Sequence, residues 1–222
     1  MSTAPPAWLD QLTAGIPAVK GEHFTRFLPP AEGGRDSAVL VLFGEGPHGP
    51  DVLVLERATT LRAHAGQPAF PGGAQDPEDS GPVAAALREA EEEVGVDPST
   101  VTVLGVLPAL FLPPSGFVVH PVVGWWHGSH DVRVVDSQEV ASVARVPLAE
   151  LTDPANRFRV GHPSGIIGPA FAVQGMVVWG FTAGLLAGIL TLAGWERPWD
   201  TSRVEPLDPE TLRLAMQTWQ AH

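Results

Sequence analysis

The chain contains no cysteine. That excludes a disulfide scaffold, cysteine-ligated zinc and a thiol nucleophile. Basic residues are scarce: 13 Lys and Arg stand against 25 Asp and Glu, a formal charge of −12, and Lys20 is the one lysine. So acidic a surface does not attract phosphate backbones, and nucleic-acid binding is not expected. Any anionic ligand needs local arginines or a metal. The first residues, Met1-Ser2-Thr3-Ala4-Pro5-Pro6, have neither a basic start nor an apolar core. They do not read as a secretory leader, and a cytoplasmic protein is expected. No lysine follows the glycines as a phosphate-binding loop requires. Gly161-His162-Pro163-Ser164-Gly165 has the wrong spacing for a serine nucleophile elbow. His127 and His130 lack a third ligand at zinc spacing.

What is present suits one domain with extensions. The 222 residues are 44% hydrophobic and 17% charged, enough to bury a sizeable core. Met176 to Gly194 carries no charge and approaches the length that spans a bilayer. Its glycines and ordinary flanks favour a buried strand, Val173 to Trp179, and a packed helix, Thr182 to Ala193; no membrane association is expected. Residues 1–34 read as an N-terminal extension with a short helix from Ala7 and a Pro/Gly linker. Residues 35–200 read as the main domain, and 201–222 as a tail with an amphipathic helix from Asp208.

Within the main domain, Ser37–Phe43 and Val52–Leu55 are apolar runs of strand length around a Gly/Pro loop. Val101–Leu107, Phe117–Trp126 and Val143–Val146 read as further strands. Shorter ones are expected at Asn156–Val160, Ala170–Val173 and Val177–Trp179. The segment from Arg62 to Pro77 shows no periodicity. A helix follows, capped by Asp79 or Ser80, with Pro82 in its first turn and Gly95 at its end. Val83, Ala86, Leu87, Ala90 and Val94 form its apolar stripe. Mixed strands with two or three helices give an α/β or α+β fold.

The chemistry concentrates on that helix, in Arg88-Glu89-Ala90-Glu91-Glu92-Glu93. Glu89, Glu92 and Glu93 stand at i, i+3 and i+4, so their carboxylates are expected to project from one face and repel one another. A solvated acidic face is the ordinary alternative. A hard divalent cation would reverse the repulsion, since Mg²⁺ and Mn²⁺ take carboxylate and phosphate oxygens. Upstream, Phe70-Pro71-Gly72-Gly73 brings adjacent glycines that let the backbone approach a ligand closely.

Together these residues resemble the Nudix box. Gly73 matches its first glycine. Arg88 to Val96 match the pattern R-E-U-x-E-E-x-G-U, where U is aliphatic and Ala90 fills the first such site. Asp79 stands where the box has a glutamate, and one extra residue separates it from Arg88. Leu61-Arg62-Ala63-His64-Ala65-Gly66-Gln67, continued by Phe70-Pro71-Gly72-Gly73, resembles the additional motif of the coenzyme A pyrophosphatase branch. That branch shares the longer spacing before the arginine. Ser115-Gly116-Phe117, Pro121 to Gly124 and Trp179 to Thr182 are similar to it too, so the likeness runs from about Ser37 to Trp195.

The resemblance implies a Nudix-type α/β/α sandwich around a mixed sheet. It implies hydrolysis of a coenzyme A-like diphosphate to 3′,5′-ADP and 4′-phosphopantetheine or its acyl form, with Mg²⁺ or Mn²⁺. Glu89, Glu92, Glu93 and the Gly73 carbonyl would hold the metal. Arg88 would orient a glutamate by a bidentate ion pair. Arg62, His64, Gly72 and Gly73 would meet the substrate. Arg57, Arg157, Arg159 and His162 are further cations for a substrate phosphate, with an ordinary surface role the bland alternative. The general base is a helix glutamate or a loop glutamate such as Glu139. Rival readings are the same chemistry on ADP-ribose, NADH or an oxidised nucleotide, and a non-catalytic nucleotide-binding sensor. The partner is a small molecule, and a homodimer stays open.

Overall fold

The computed structural model describes residues 3–61, 64–113, 115–128, 132–161 and 165–220. Arg62, His130 and His162, singled out from the sequence, lie outside the described residues. In chain order the elements are α1 (Asp10–Gly15), β1 (Arg35–Gly46), β2 (Gly49–Arg57), β3 (Pro68–Ala69), β4 (Gly72–Ala74) and α2 (Pro82–Val94). Then come β5 (Val101–Val106), β6 (Leu110–Leu112), β7 (Phe117–Trp126), β8 (Val140–Pro147) and α3 (Leu148–Leu151). The last are β9 (Arg157–Gly161), β10 (Ile167–Val173), β11 (Met176–Val178), α4 (Gly180–Leu192), β12 (Val204–Pro206) and α5 (Pro209–Gln220).

The main sheet runs β3-β2-β1-β7-β5, with β4 also on β1, β6 on β7 and β8 on β2. It is mixed: β1 and β7 are parallel, from Arg35 opposite Phe117 to Phe43 opposite Trp125, and the other pairings are antiparallel. A second sheet runs β11-β10-β9-β12.

The long apolar runs of β1 and β2 follow from burial on both faces. Ala38, Leu40 and Leu42 join Leu53 and Leu55 against α2, packing on Ala85, Ala86, Ala90 and Val94. Val41 and Phe43 join Val52 and Val54 on the opposite side, with Leu185, Leu186 and Ile189 of α4. The helix-sheet-helix sandwich expected from the resemblance is therefore present.

Three local expectations are corrected. The loop between the first two strands shrinks to Pro47-His48, because Gly46 pairs directly with Gly49. Val173 to Trp179 is not one strand: Val173 pairs with Met176 across a tight turn in which Gln174 and Gly175 both take positive φ. No side chain caps α2; Gly81 occupies the N-cap, and Asp79 is engaged elsewhere. Pro82 and Gly95 behave as read, the latter in the left-handed conformation at the helix end.

The uncharged run ends in α4, which sits in the core rather than extending as a span. Among the described residues no helix is long and apolar enough to cross a membrane. The glycines of α4 serve packing. A Cβ on Gly188 would collide with the Phe24 ring, and His23 Nε2 lies 3.0 Å from the Gly188 carbonyl oxygen. Residues 8 to 24 thus belong to the same core: Leu9, Leu12, Ile16 and Phe24 are buried beside α4.

Candidate active site

Helix α2 turns its short side chains to the sheet. Ala85, Ala86 and Ala90 let it lie close to β1, while Val83 and Leu87 remain only half-buried. Glu93 therefore shares the inward face with Val94, a placement the apolar stripe did not foretell. Successive helix residues advance by about 100°. Glu89 lies near Glu93 in azimuth, whereas Glu92 turns away toward solvent.

Burial follows that geometry: the Glu93 side chain is 3% exposed, Glu89 15% and Glu92 59%. Glu91 is exposed. Among the described residues no three acidic or histidine side chains converge as a metal cage. The structure brings Glu89 and Glu93 to one place and leaves Glu92 on the outer side of the same turn.

The two glycines upstream complete this arrangement. β4 is pinned antiparallel to β1, with Gly73 opposite Ala38 and Gly72 opposite Val39. A Cβ at Gly72, where φ is +156°, would overlap the Ala38 carbonyl oxygen. The close approach aims the Gly72 N–H at Glu93 Oε2, which accepts it at 3.0 Å. A Cβ at Gly73 would fall 2.5 Å from Glu89 Oε1. Each glycine thus makes room for one thing: Gly72 for the sheet, Gly73 for a carboxylate.

Arg88 organises the outer side. Its Nε and Nη2 donate to the two Asp79 carboxylate oxygens at 3.2 and 3.0 Å. Its Nη1 donates to Glu89 Oε1 at 2.9 Å and to Glu92 Oε2 at 3.0 Å. The Asp79 bonds, more than the glutamates, hold Arg88 protonated well above its ordinary range, and Arg88 in turn lowers the Asp79 carboxyl. The aspartate that departs from the box pattern thus anchors the arginine that holds Glu89.

Electrostatics mark the inner side. Burial pushes Glu93 up to about 7, with Glu89 and Glu139 adding repulsion and the Gly72 N–H and Arg57 opposing it. Burial also raises Glu89, against Arg88. Arg57 lies 3.7 Å from Glu93 Oε1 and 3.9 Å from Glu139. Glu93 Oε1 is buried and, among the described residues, has no hydrogen-bond donor.

Crowded carboxylates, one with a buried bare oxygen, are what a hard cation relieves. Glu89, Glu93 and the Gly73 carbonyl fit a divalent ion in donor chemistry. Substrate phosphate and water oxygens would be its other ligands.

Of these, Glu89 and Gly73 line a cavity of about 810 Å³, while Glu93 stays buried behind them. Arg57, His64, Gln67, Gly72, Gly73, Glu89 and Glu139 all face it. The upstream motif reaches it by folding back along β2. The Gly66 N–H donates to the Arg57 carbonyl, and the Arg57 N–H to the Gln67 carbonyl. His64, at φ 56°, sits 3.1 Å from Gln67 Oε1 through Nδ1.

The other walls are apolar: Phe24 and Phe27 from the N-terminal segment, Phe111 and Phe117 from β6 and β7, and Ile167, Trp179 and Phe181. Thr182 Oγ1 donates to the Pro68 carbonyl at 2.9 Å and ties α4 to the motif. Of the remaining sequence candidates, Arg157 is committed elsewhere. It is 1% exposed, bonded to Glu196 at 2.9 Å and stacked on Phe171 and Trp199. Arg159 is not among the residues that line the cavity. Arg26, which sequence reading passed over, does line it. No motif marks Arg26; only the folding of the N-terminal segment across β6 brings it there.

Comparison with known proteins agrees with this picture. The NUDIX domain profile matches residues 34–164. An uncharacterized Nudix hydrolase NudL from Cronobacter sakazakii is 44% identical over 177 residues, covering 74% of this chain and 85% of that protein. One of the same name from Escherichia coli (strain SMS-3-5) is 41% identical over 157 residues, covering 68% and 79%. Among solved structures, the Nudix hydrolase RenU of M. smegmatis superposes with a TM-score of 0.53 at 18% identity, covering 76% of this chain and 91% of that one. This last likeness concerns the fold alone. With the family profile over more than half its length and relatives this similar, the chain belongs to the Nudix hydrolases, which act on phosphoric anhydrides.

Proposed function

We propose that the chain hydrolyses the diphosphate of coenzyme A or its acyl derivatives with Mg²⁺ or Mn²⁺, releasing 3′,5′-ADP and 4′-phosphopantetheine or its acyl form. One observation carries the reading. The motif that resembles the coenzyme A branch does not lie apart from the box: His64, Gln67, Gly72 and Gly73 line the same cavity as Glu89 and Glu139.

In this reading Glu89, Glu92 and Glu93 would hold the divalent ion with the Gly73 carbonyl. When bound, the ion neutralises charge on the diphosphate oxygens. Arg88, fixed by Asp79, keeps the Glu89 carboxylate in place. His64, Gly72 and Gly73 contact the substrate, and the motif resemblance gives Arg62 the same role. Glu139, which faces the cavity with Arg57 as its nearest cation, takes the proton from the attacking water. The water oxygen bonds to phosphorus as the bridging P–O bond breaks, and the electron pair leaves on the departing phosphate oxygen.

The test is product analysis by mass spectrometry. Purified protein is incubated with coenzyme A, ADP-ribose or NADH, with either metal or with EDTA. Metal-dependent 3′,5′-ADP and 4′-phosphopantetheine, formed faster than products from the other two, is the expected result. Cleavage of ADP-ribose or NADH in preference to coenzyme A would overturn the substrate and keep the chemistry.

A further inference from the structure

Two arginines and a histidine among the described residues line the cavity: Arg26, Arg57 and His64. Two are occupied. Arg57 faces Glu93 and Glu139 at 3.7 and 3.9 Å, and His64 meets Gln67 at 3.1 Å. Arg26 faces no carboxylate among the described residues. Arg26 is solvent-exposed at the cavity wall, so its charge is open to an incoming anion.

Its position is fixed on both sides. Two residues earlier, Phe24 is buried against Gly188 of α4. On the other side, the Phe27 carbonyl accepts the Phe111 N–H at 3.1 Å, and the Phe27 N–H donates to Thr25 Oγ1 at 3.1 Å. The Arg26 guanidinium lies over the Phe27 ring, 5.0 Å from its centroid. Stacking of this kind holds the planar fork in place while its N–H groups stay available, so little freedom is lost on binding.

Arg26 is also remote from the glutamates. Gly73 opposes Ala38 on β1, Ala38 opposes His120 on β7, and Val118 of β7 opposes Phe111 on β6. Several strand spacings of about 5 Å each separate the Glu89 end of the cavity from the Phe27–Phe111 wall along the sheet. The cation thus suits an anionic group beyond the scissile diphosphate, not the diphosphate itself.

We infer that Arg26 binds the ribose phosphate monoester of the substrate and selects for it, an inference that rests on the coenzyme A reading. The monoester carries two negative charges near neutral pH, and a guanidinium fork matches its oxygens. The residue lies outside the stretch 34–164 matched by the family profile, so this selectivity belongs to the N-terminal segment.

The test crosses residue against phosphate. Steady-state kcat and KM are measured for wild type, Arg26→Ala and Arg26→Lys on coenzyme A and on 3′-dephospho-coenzyme A. Wild type is expected to favour the phosphorylated substrate. In Arg26→Ala, kcat/KM for coenzyme A falls about tenfold, mainly through KM. The value for the dephospho compound stays within about twofold, and lysine recovers part of the loss. An equal loss on both substrates, no loss on either, or a wild type indifferent to the phosphate overturns the inference while leaving the coenzyme A reading standing. A wild type that cleaves neither compound removes that reading, and this inference with it.

Discussion

Asp79 and Arg88 form a two-pronged ion pair, nine residues apart in the chain, with Nε and Nη2 at 3.2 and 3.0 Å from the two carboxylate oxygens. The pair leaves Nη1 of Arg88 for Glu89. Asp79→Ala is therefore expected to lower kcat about 10- to 100-fold, the usual cost of losing a partner that orients a metal ligand. Substrate KM should change little. Steady-state kinetics at saturating metal checks this, and an unchanged kcat would show that Arg88 needs no anchor.

Glu93 couples pH to stability. Its carboxyl is lifted from the ordinary 4.5 to about 7 by burial, so between these values the native state holds a proton that the unfolded chain has released. Stability from this group is full below about 4.5 and is lost as pH rises through about 7, at most about 3 kcal/mol in all. In EDTA, Glu93→Gln should thus match wild type near pH 5 and exceed its melting temperature near pH 8. The same variant should lose most turnover. Parallel melting curves at the two pH values decide the point.

Gly72 and Gly73 should fail differently when changed to alanine. Gly72→Ala forces a side chain into the Ala38 carbonyl at a φ that L-residues avoid, and is expected to cost about 2 kcal/mol or more of stability. Gly73→Ala meets the Glu89 carboxylate, a flexible group that can move aside. It should keep a near wild-type melting temperature and lose at least about tenfold in kcat. Thermal melts beside activity assays separate the two.

Glu89→Gln and Glu93→Gln should each reduce turnover by about 100-fold or more. Glu92→Gln should act mainly on metal demand, because its carboxylate is 59% exposed and held by Arg88. Titrating Mg²⁺ against rate tests this: a raised half-saturating concentration with a nearly normal maximum is expected for Glu92→Gln alone.

The glutamates, the paired glycines and the helix bearing them were legible because their spacing is local. The strand from Phe117 to Trp126 was legible because its run is largely apolar, interrupted by His120, and its second half is buried. Helix capping misled, since Asp79 prefers the Arg88 guanidinium to the helix amides, and that preference depends on a fold-back the pattern does not state. β3 and β4 escaped notice for a related reason. Pro68–Ala69 and Gly72–Ala74 have no strand period and are extended only because β2 and β1 offer them pairing edges. Glu93 read as one acid among several; its burial comes from alanines that draw α2 onto the sheet. Arg26 and Phe27 carry no motif and reach the cavity through Phe111 and α4.

The segment from Gly21 to Phe27 is stitched to Gly188 on one side and Phe111 on the other, and it closes a wall of a cavity whose glutamates come from a different stretch of chain. With Arg26 as proposed above, one determinant of selectivity lies on a length of sequence apart from the glutamates. Substitutions in the early segment can alter what is cut without disturbing how it is cut.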